Sequence, residues 1–375
     1  MPSSPTPSST AHPTRHERLL SAFETVPDPR DRRGVRYRLA GVLALAVTAT
    51  IAGCRSFAAI GQWAAEATVE VLTSFGFTDA AAPDESTLRK LFARIDADAL
   101  DTALGVWMWT RTVVTGQRRV IAIDGKTLRG ARRRADDTAA PHLVAAFDHG
   151  AATVLGQVCV KEKSNEIPAA RTLLARFDLA GAVVTMDAMH TQTDTATLIT
   201  GAGGDYVFTV KKNTPTLHRE LKALPWRDVP ATRVTTTGRD RRITRTIKVT
   251  AVPGWIDFPG AAQVAQIRRT VTKKGRKTVE VVYLVTSADH LAAPPAVLAT
   301  WVQGHWGIEN RLHWVRDVTF AEDSSQVRTG QAPRIMATCR SLAIGLLRLA
   351  GWDNIAAGLR HHARHPDHAL MLALT

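Results

Sequence analysis

Two aspartates share one local setting. Asp124 closes the apolar run at 120–123, and Asp187 closes a second run at 182–186. A carboxylate at the end of a strand stands on a rigid backbone platform, and in α/β sheets such ends line the crevice where ligands meet. Two like charges in one crevice need a cation, and hard carboxylate oxygens suit Mg²⁺ or Mn²⁺. Taken singly, either aspartate would more simply cap a turn. A third acid, Glu309, lies in GHWGIENRLHWVRDVTF. At helical spacing His305, Glu309, His313 and Arg316 share one face, while Ile308, Leu312 and Val315 take the other. On its own Glu309 would be a surface glutamate paired with His313 four residues on. Asp317, Glu322 and Asp323 compete for the third place but fall near or past the expected helix end.

Other chemistries find less support. His305, Glu309 and His313 do not follow the HExxH spacing of zinc hydrolases. Cys54, Cys159 and Cys339 lie far apart in sequence, so neither a zinc ribbon nor a disulfide framework is expected. The sequence has no P-loop, dinucleotide-binding GxGxxG or GxSxG elbow, which argues against nucleotide hydrolysis, NAD chemistry and serine hydrolysis.

Charge points to a polyanionic partner. The chain of 375 residues carries 48 Lys/Arg against 34 Asp/Glu, a net +14. The excess is concentrated, since residues 211–280 hold 17 Lys/Arg and 5 Asp/Glu. Such a run is often only a solvated surface, but beside a carboxylate site it favours nucleic acid. Lys126, Arg129, Lys211 and Lys212 lie next to the acids and would hold phosphates.

These groups need a frame. With 45% hydrophobic and 22% charged residues the chain reads as globular, neither collagenous nor disordered. Residues 1–14, rich in Pro, Ser and Thr, read as a disordered tail with no signal-peptide pattern. A helical domain is expected over 15–115. Within it, 39–54 is an uncharged run too short for a membrane span of about 20 residues, so it reads as a buried helix. A helix from 84 places Leu88, Leu91, Phe92 and Ile95 on one side, with Arg89, Lys90 and Arg94 opposite, where they could read DNA. Strands are expected at 120–123, 142–147, 153–160, 182–186 and 206–210, with helices at 165–176 and 191–200, giving a mixed sheet over 116–211. A basic β-rich insertion follows at 212–295, with strands at 243–252, 262–271 and 277–286. The helical period returns over 296–350, ending in an amphipathic helix at 333–349, and 351–375 reads as a tail. The low cysteine use points to a reducing, cytoplasmic setting.

The segments IDGKTLRGARR, AVVTMDAMHTQ, DYVFTVKKNTPTLH and GHWGIENRLHWVRDVTFAEDSSQVRTG, in this order, resemble the ISAs1-type transposases of bacterial insertion sequences. So do PDPRDRRGVRYRLAGVLAL and IAAGLRHHARHP, and related H-repeat proteins share the pattern. The resemblance covers nearly the whole chain. It implies an α+β, ribonuclease-H-like mixed sheet flanked by helices, with an N-terminal helical domain and the β-rich insertion between the fifth core strand and the Glu-bearing helix. It implies a DDE set, Asp124, Asp187 and Glu309, holding two Mg²⁺ or Mn²⁺ ions. IS4-like relatives carry Tyr-x2-Arg-x3-Glu-x6-Lys around the Glu. Here Val302, His305, Glu309 and Arg316 stand at those places, so the Tyr is missing and His305 and Arg316 take the phosphate-gripping positions. The implied activity is cutting of element ends and transfer of a 3′-OH into target DNA. The implied partners are double-stranded DNA and a second copy in the synaptic complex. A ribonuclease-H-fold nuclease without strand transfer and an inactive DNA-binding remnant stand as alternatives.

Overall fold

The computed structural model describes residues 19–77, 81–112, 118–132, 139–160, 166–238 and 240–374. The expected tail at 1–14 lies outside them. Two compact units are present, one formed by Met1–Arg111 with Val327–Thr375, the other by Thr112–Gln326.

The first unit is helical. It opens with α1 (Leu19–Glu24), α2 (Leu39–Ile51), α3 (Phe57–Glu66), α4 (Val69–Ser74), α5 (Glu85–Phe92) and α6 (Ala97–Arg111). Every residue of α2 is buried, as its uncharged sequence requires. Its two threonines satisfy their hydroxyls on the carbonyls of Ala44 and Ala46, four residues back. Asp84 caps α5 by accepting from the Thr87 N–H at 2.6 Å, and Leu88, Leu91 and Phe92 form its buried side.

The second unit is built on one nine-stranded sheet: β1 (Val120–Thr127), β2 (His142–Asp148), β3 (Val154–Val160), β4 (Val183–Met186), β5 (Asp205–Val210), β6 (Ala231–Thr237), β7 (Arg241–Ala251), β8 (Gln263–Lys273) and β9 (Arg276–Thr286). The order is β3-β2-β1-β4-β5-β9-β8-β7-β6. β1 to β3 form an antiparallel meander, and β4 and β5 run parallel to β1. The first five strands therefore have the ribonuclease-H-like arrangement. The helices α7 (Glu166–Leu174), α8 (Thr193–Gly201), α9 (Pro215–Ala223) and α10 (Pro295–Gly307) complete the unit.

The basic strands lie between β5 and α10, where the sequence reading puts the insertion, and β9 pairs with β5 from Val207↔Thr286 to Val210↔Tyr283, so they extend the core sheet. One feature of the sheet differs from the sequence reading. β1 does not end at Asp124 but continues to Thr127, with Asp124 opposite Ala145. The apolar run marked where the strand becomes buried on both faces, and backbone pairing carries it further.

The helix after α10 widens. Residues Ile308–His313 and Val315–Thr319 are π-helical, and the Phe320 N–H reaches the Val315 carbonyl five residues back at 3.1 Å. Gly304 is needed on α10, because a Cβ there would sit 2.4 Å from His149 Nδ1.

The chain then returns to the helical unit through α11 (Ala332–Leu349), α12 (Ile355–Arg364) and α13 (Pro366–Leu374). The sequence reading gave 327–350 to the core and 351–375 to a tail, but both belong to the helical unit. α11 is not amphipathic in its surroundings: it is buried from Ala332 to Leu347. Its Arg334 pairs with Asp98 at 2.6 Å and lies 3.7 Å from Asp101, which explains how a charge tolerates that position. No described helix is long and apolar enough to cross a membrane.

Candidate active site

β1 and β4 set the two aspartates side by side. Their parallel ladder ends at Ile123↔Met186, so Asp124 and Asp187 follow at the same level of adjacent strands, about 4.8 Å apart. Asp187 keeps extended backbone (φ −73°, ψ 168°), which preserves the alternation of faces. Thr185 therefore shares the face of Asp187, and its hydroxyl meets His305 Nδ1 of α10 at 3.0 Å. Both aspartates look toward the face that α10 covers.

The widened helix brings in the third acid together with an imidazole. His313 Nδ1 lies 3.5 Å from Asp124 Oδ2 and 3.6 Å from Glu309 Oε2. One donor atom from each of Asp124, Glu309 and His313 falls within 4.8 Å of the others. π-helical turns recur where a helix must aim side chains at a functional centre.

The electrostatics are uneven. Burial, then the neighbouring Glu309 charge, pushes the Asp124 carboxyl up to about 8. Glu309 moves the other way, to about 2, chiefly because His313 hydrogen-bonds its carboxylate. This is the behaviour of two carboxylates crowded together without enough positive charge. Burial lowers the His313 pKa, so the ring is neutral, the form that ligates metals. Asp187 is half exposed, and its Oδ1 accepts from Lys211 Nζ at 3.1 Å. Burial raises its pKa, but the Ala188 N–H and Lys211 outweigh that effect, and the net shift is downward.

The six expected phosphate contacts separate into two groups. Lys211 and Lys212 are exposed, and the Arg129 side chain is 79% exposed, 3.8 Å from Asp323. The other three have protein partners. Lys126 is buried, with Nζ 2.5 Å from Asp317 and 4.0 Å from Asp323. Arg316, placed at a phosphate-gripping position by the sequence reading, is 1% exposed and holds Glu322 through Nε at 3.0 Å and Nη2 at 2.8 Å. His305 is driven down to about 4 by burial and is neutral, tied to Thr185. Helical spacing gathered His305, Glu309, His313 and Arg316 on one polar face but could not tell that His313 and Arg316 would be covered.

Three residues that the sequence reading passed over sit behind the aspartates. Glu166, at the start of α7, accepts from His142 Nε2 at 2.8 Å and from His190 Nε2 at 3.2 Å. Gly125 follows Asp124 and so faces the opposite side of the sheet. A Cβ there would lie 2.5 Å from His142 Nε2 and 2.6 Å from Glu166 Oε1. In sequence, an acid opening a helix looks like a partner for the helix dipole, so nothing marked it. His313 did appear in the sequence reading, on the face shared with Glu309, as its partner four residues on and within a zinc set, but not as a neighbour of Asp124.

Comparison with known proteins gives the family. Residues 115–346 match the family model described as Transposase DDE domain, and residues 20–108 match a model described as DDE_Tnp_1-associated. "Putative transposase YncI" of Escherichia coli O157:H7 is 33% identical, covering 88% of this chain and 87% of the relative. "H repeat-associated putative transposase YhhI" of Escherichia coli strain K12 is 31% identical, covering 93% of this chain and 94% of the relative. A chain from the "Cryo-EM structure of piggyBac transposase synaptic complex with hairpin DNA (SNHP)" aligns with a TM-score of 0.45 at 11% identity, covering 94% of this chain and 78% of that one. The family model spans the whole Asp124–Glu309 interval, and the chain belongs to the DDE transposases of insertion sequences.

Proposed function

We propose that this transposase cuts the ends of its own insertion sequence in a divalent-metal-dependent reaction and transfers the 3′-OH into target DNA. The observation that carries this reading is the convergence of Asp124, Glu309 and His313 donors within 4.8 Å, with Asp187 at the adjacent strand end. The donors fit a hard dication. Burial, then the Glu309 charge, raises the Asp124 carboxyl, and a bound cation would offset both. Mg²⁺ or Mn²⁺, as a pair, would activate a water or a 3′-OH and stabilise the leaving oxygen.

The chain's own residues do the rest. Asp124, Asp187 and Glu309 would hold the ions, and His313, whose Nδ1 faces both Asp124 and Glu309, would orient the two carboxylates or, with its proton moved to Nε2, add a ligand. Lys211, released from Asp187, joins Lys212 and Arg129 in holding phosphates. The basic strands β7 to β9 give the DNA backbone a cationic track. Double-stranded DNA, as element ends and as target, is the partner, and a homodimer would pair the two ends. The test uses purified protein, Mg²⁺ and a plasmid carrying the gene with its native flanks, beside Asp187→Ala. Cuts at both element borders with free 3′-OH ends and joined products, absent in Asp187→Ala, are expected. Scattered nicks without joining would replace this reading with a nuclease. Retained binding with no cutting would replace it with a DNA-binding remnant.

A further inference from the structure

We propose that Glu166 is a positioning residue of the DDE centre, fixing Asp124 and Asp187 from the back of the sheet through His142 and His190. The inference rests on the DDE reading above.

The network is closed by hydrogen-bond chemistry. An ionised carboxylate only accepts, so both histidines present N–H from Nε2 to Glu166. That leaves His142 Nδ1 as an acceptor when the ring is neutral, and the Thr127 hydroxyl meets it at 2.8 Å. His190 is 1% exposed, and its Nδ1 has no partner among the described residues. Burial works against the Glu166 charge, but the two histidines overcome it and hold the carboxyl at about 2.

Four elements meet here. Thr127 lies on β1, three residues past Asp124. His142 opens β2, and Glu166 opens α7. His190 ends the short 3-10 turn that begins after Asp187. Glu166 thus clamps the two backbone segments that carry the aspartates. Gly125 lets the clamp close, because any side chain there would displace the Glu166 carboxylate. Being on the opposite face, Glu166 reaches neither substrate nor ion and acts through backbone position.

The test uses the full chain with Glu166→Gln. Glutamine keeps the size but turns an NH₂ toward one of the two N–H donors, so one link is lost. Mn²⁺ binding to the DNA-free protein, read by electron paramagnetic resonance, should weaken about tenfold. Single-turnover cleavage should need correspondingly more Mg²⁺. Glu166→Asp, which retains both acceptors on a shorter arm, should recover part of both effects. His142→Gln, which keeps a donor near the Nε2 position, guards against a Glu166 variant that fails to fold and should fall between wild type and Glu166→Gln. Unchanged Mn²⁺ affinity in folded Glu166→Gln or His142→Gln would overturn the inference. If the wild type binds Mn²⁺, with affinity weakened in Glu166→Gln, yet cuts no DNA, the transposase reading fails and the positioning role stands.

Discussion

Glu322 is a buried carboxylate of the core and Asp124 a half-buried one, and their neighbours differ. Glu322 faces the buried Arg316 guanidinium at hydrogen-bonding distance. Asp124 faces a second carboxylate and a neutral imidazole. Glu166 resembles Glu322, since two histidines cradle it and it stays ionised. Where the fold needs a fixed strut it encloses the countercharge with the carboxylate. At Asp124 it encloses none, and on the proposed function the countercharge there is a bound cation. The same contrast separates the cations. Lys126 and Arg316 are locked onto protein acids, whereas Arg129, Lys211 and Lys212 reach solvent.

The largest expected effect breaks the open site. Asp187→Ala or Asp124→Asn should lower cleavage about a thousandfold, while gel-shift affinity for the element ends stays near wild type. Next comes the closed pair. Arg316→Ala removes the guanidinium from the buried Arg316–Glu322 pair and should cost about 3–5 kcal/mol in urea unfolding. Arg129→Ala, on an exposed arginine, should leave stability within about 0.5 kcal/mol. Its effect should appear instead as a reduction of about one in the salt dependence of DNA binding.

Two smaller effects probe the Glu166 clamp. Gly125→Ala forces a methyl against His142 and Glu166 and should cost about 1–3 kcal/mol, seen as a lower melting temperature. The pH dependence follows from the sign of the Glu166 shift. Its folded pKa, about 2, lies below the ordinary glutamate value of 4.5. Its stabilisation is therefore complete above about pH 4.5 and is lost as pH falls toward 2. Allowing for partial solvent screening, wild type should lose about 2 kcal/mol more than Glu166→Gln between pH 5 and pH 2.5 in urea unfolding. Equal losses would remove Glu166 from the set of enclosed charges.

The elements of this molecule were largely legible from periodicity. The uncharged stretch of α2, the Asp84 cap and the apolar strand segments that lead to Asp124 and Asp187 all follow local rules of patterning and capping. The less legible features depend on long-range packing. The burial of α11 and the docking of α12 and α13 into the helical unit follow from what surrounds them, which no local window contains. The joining of β9 to β5 is a pairing across more than seventy residues of chain. At the site, Asp124, Asp187 and Glu309 stood out by type and setting. Glu166, His142 and His190 did not, because their meaning lies in convergence. Arg316 misled for the opposite reason: its position in the signature suggested phosphate, and burial gave it Glu322.

The central claim is that Asp124, Glu309 and His313 hold a divalent cation that the fold does not replace with a side chain. Mn²⁺ titration of the DNA-free protein, wild type beside Asp124→Asn, tests it most directly. Saturable Mn²⁺ binding in the wild type, displaced by Mg²⁺ and lost in Asp124→Asn, is the predicted result. Equal Mn²⁺ affinity in both proteins would contradict it.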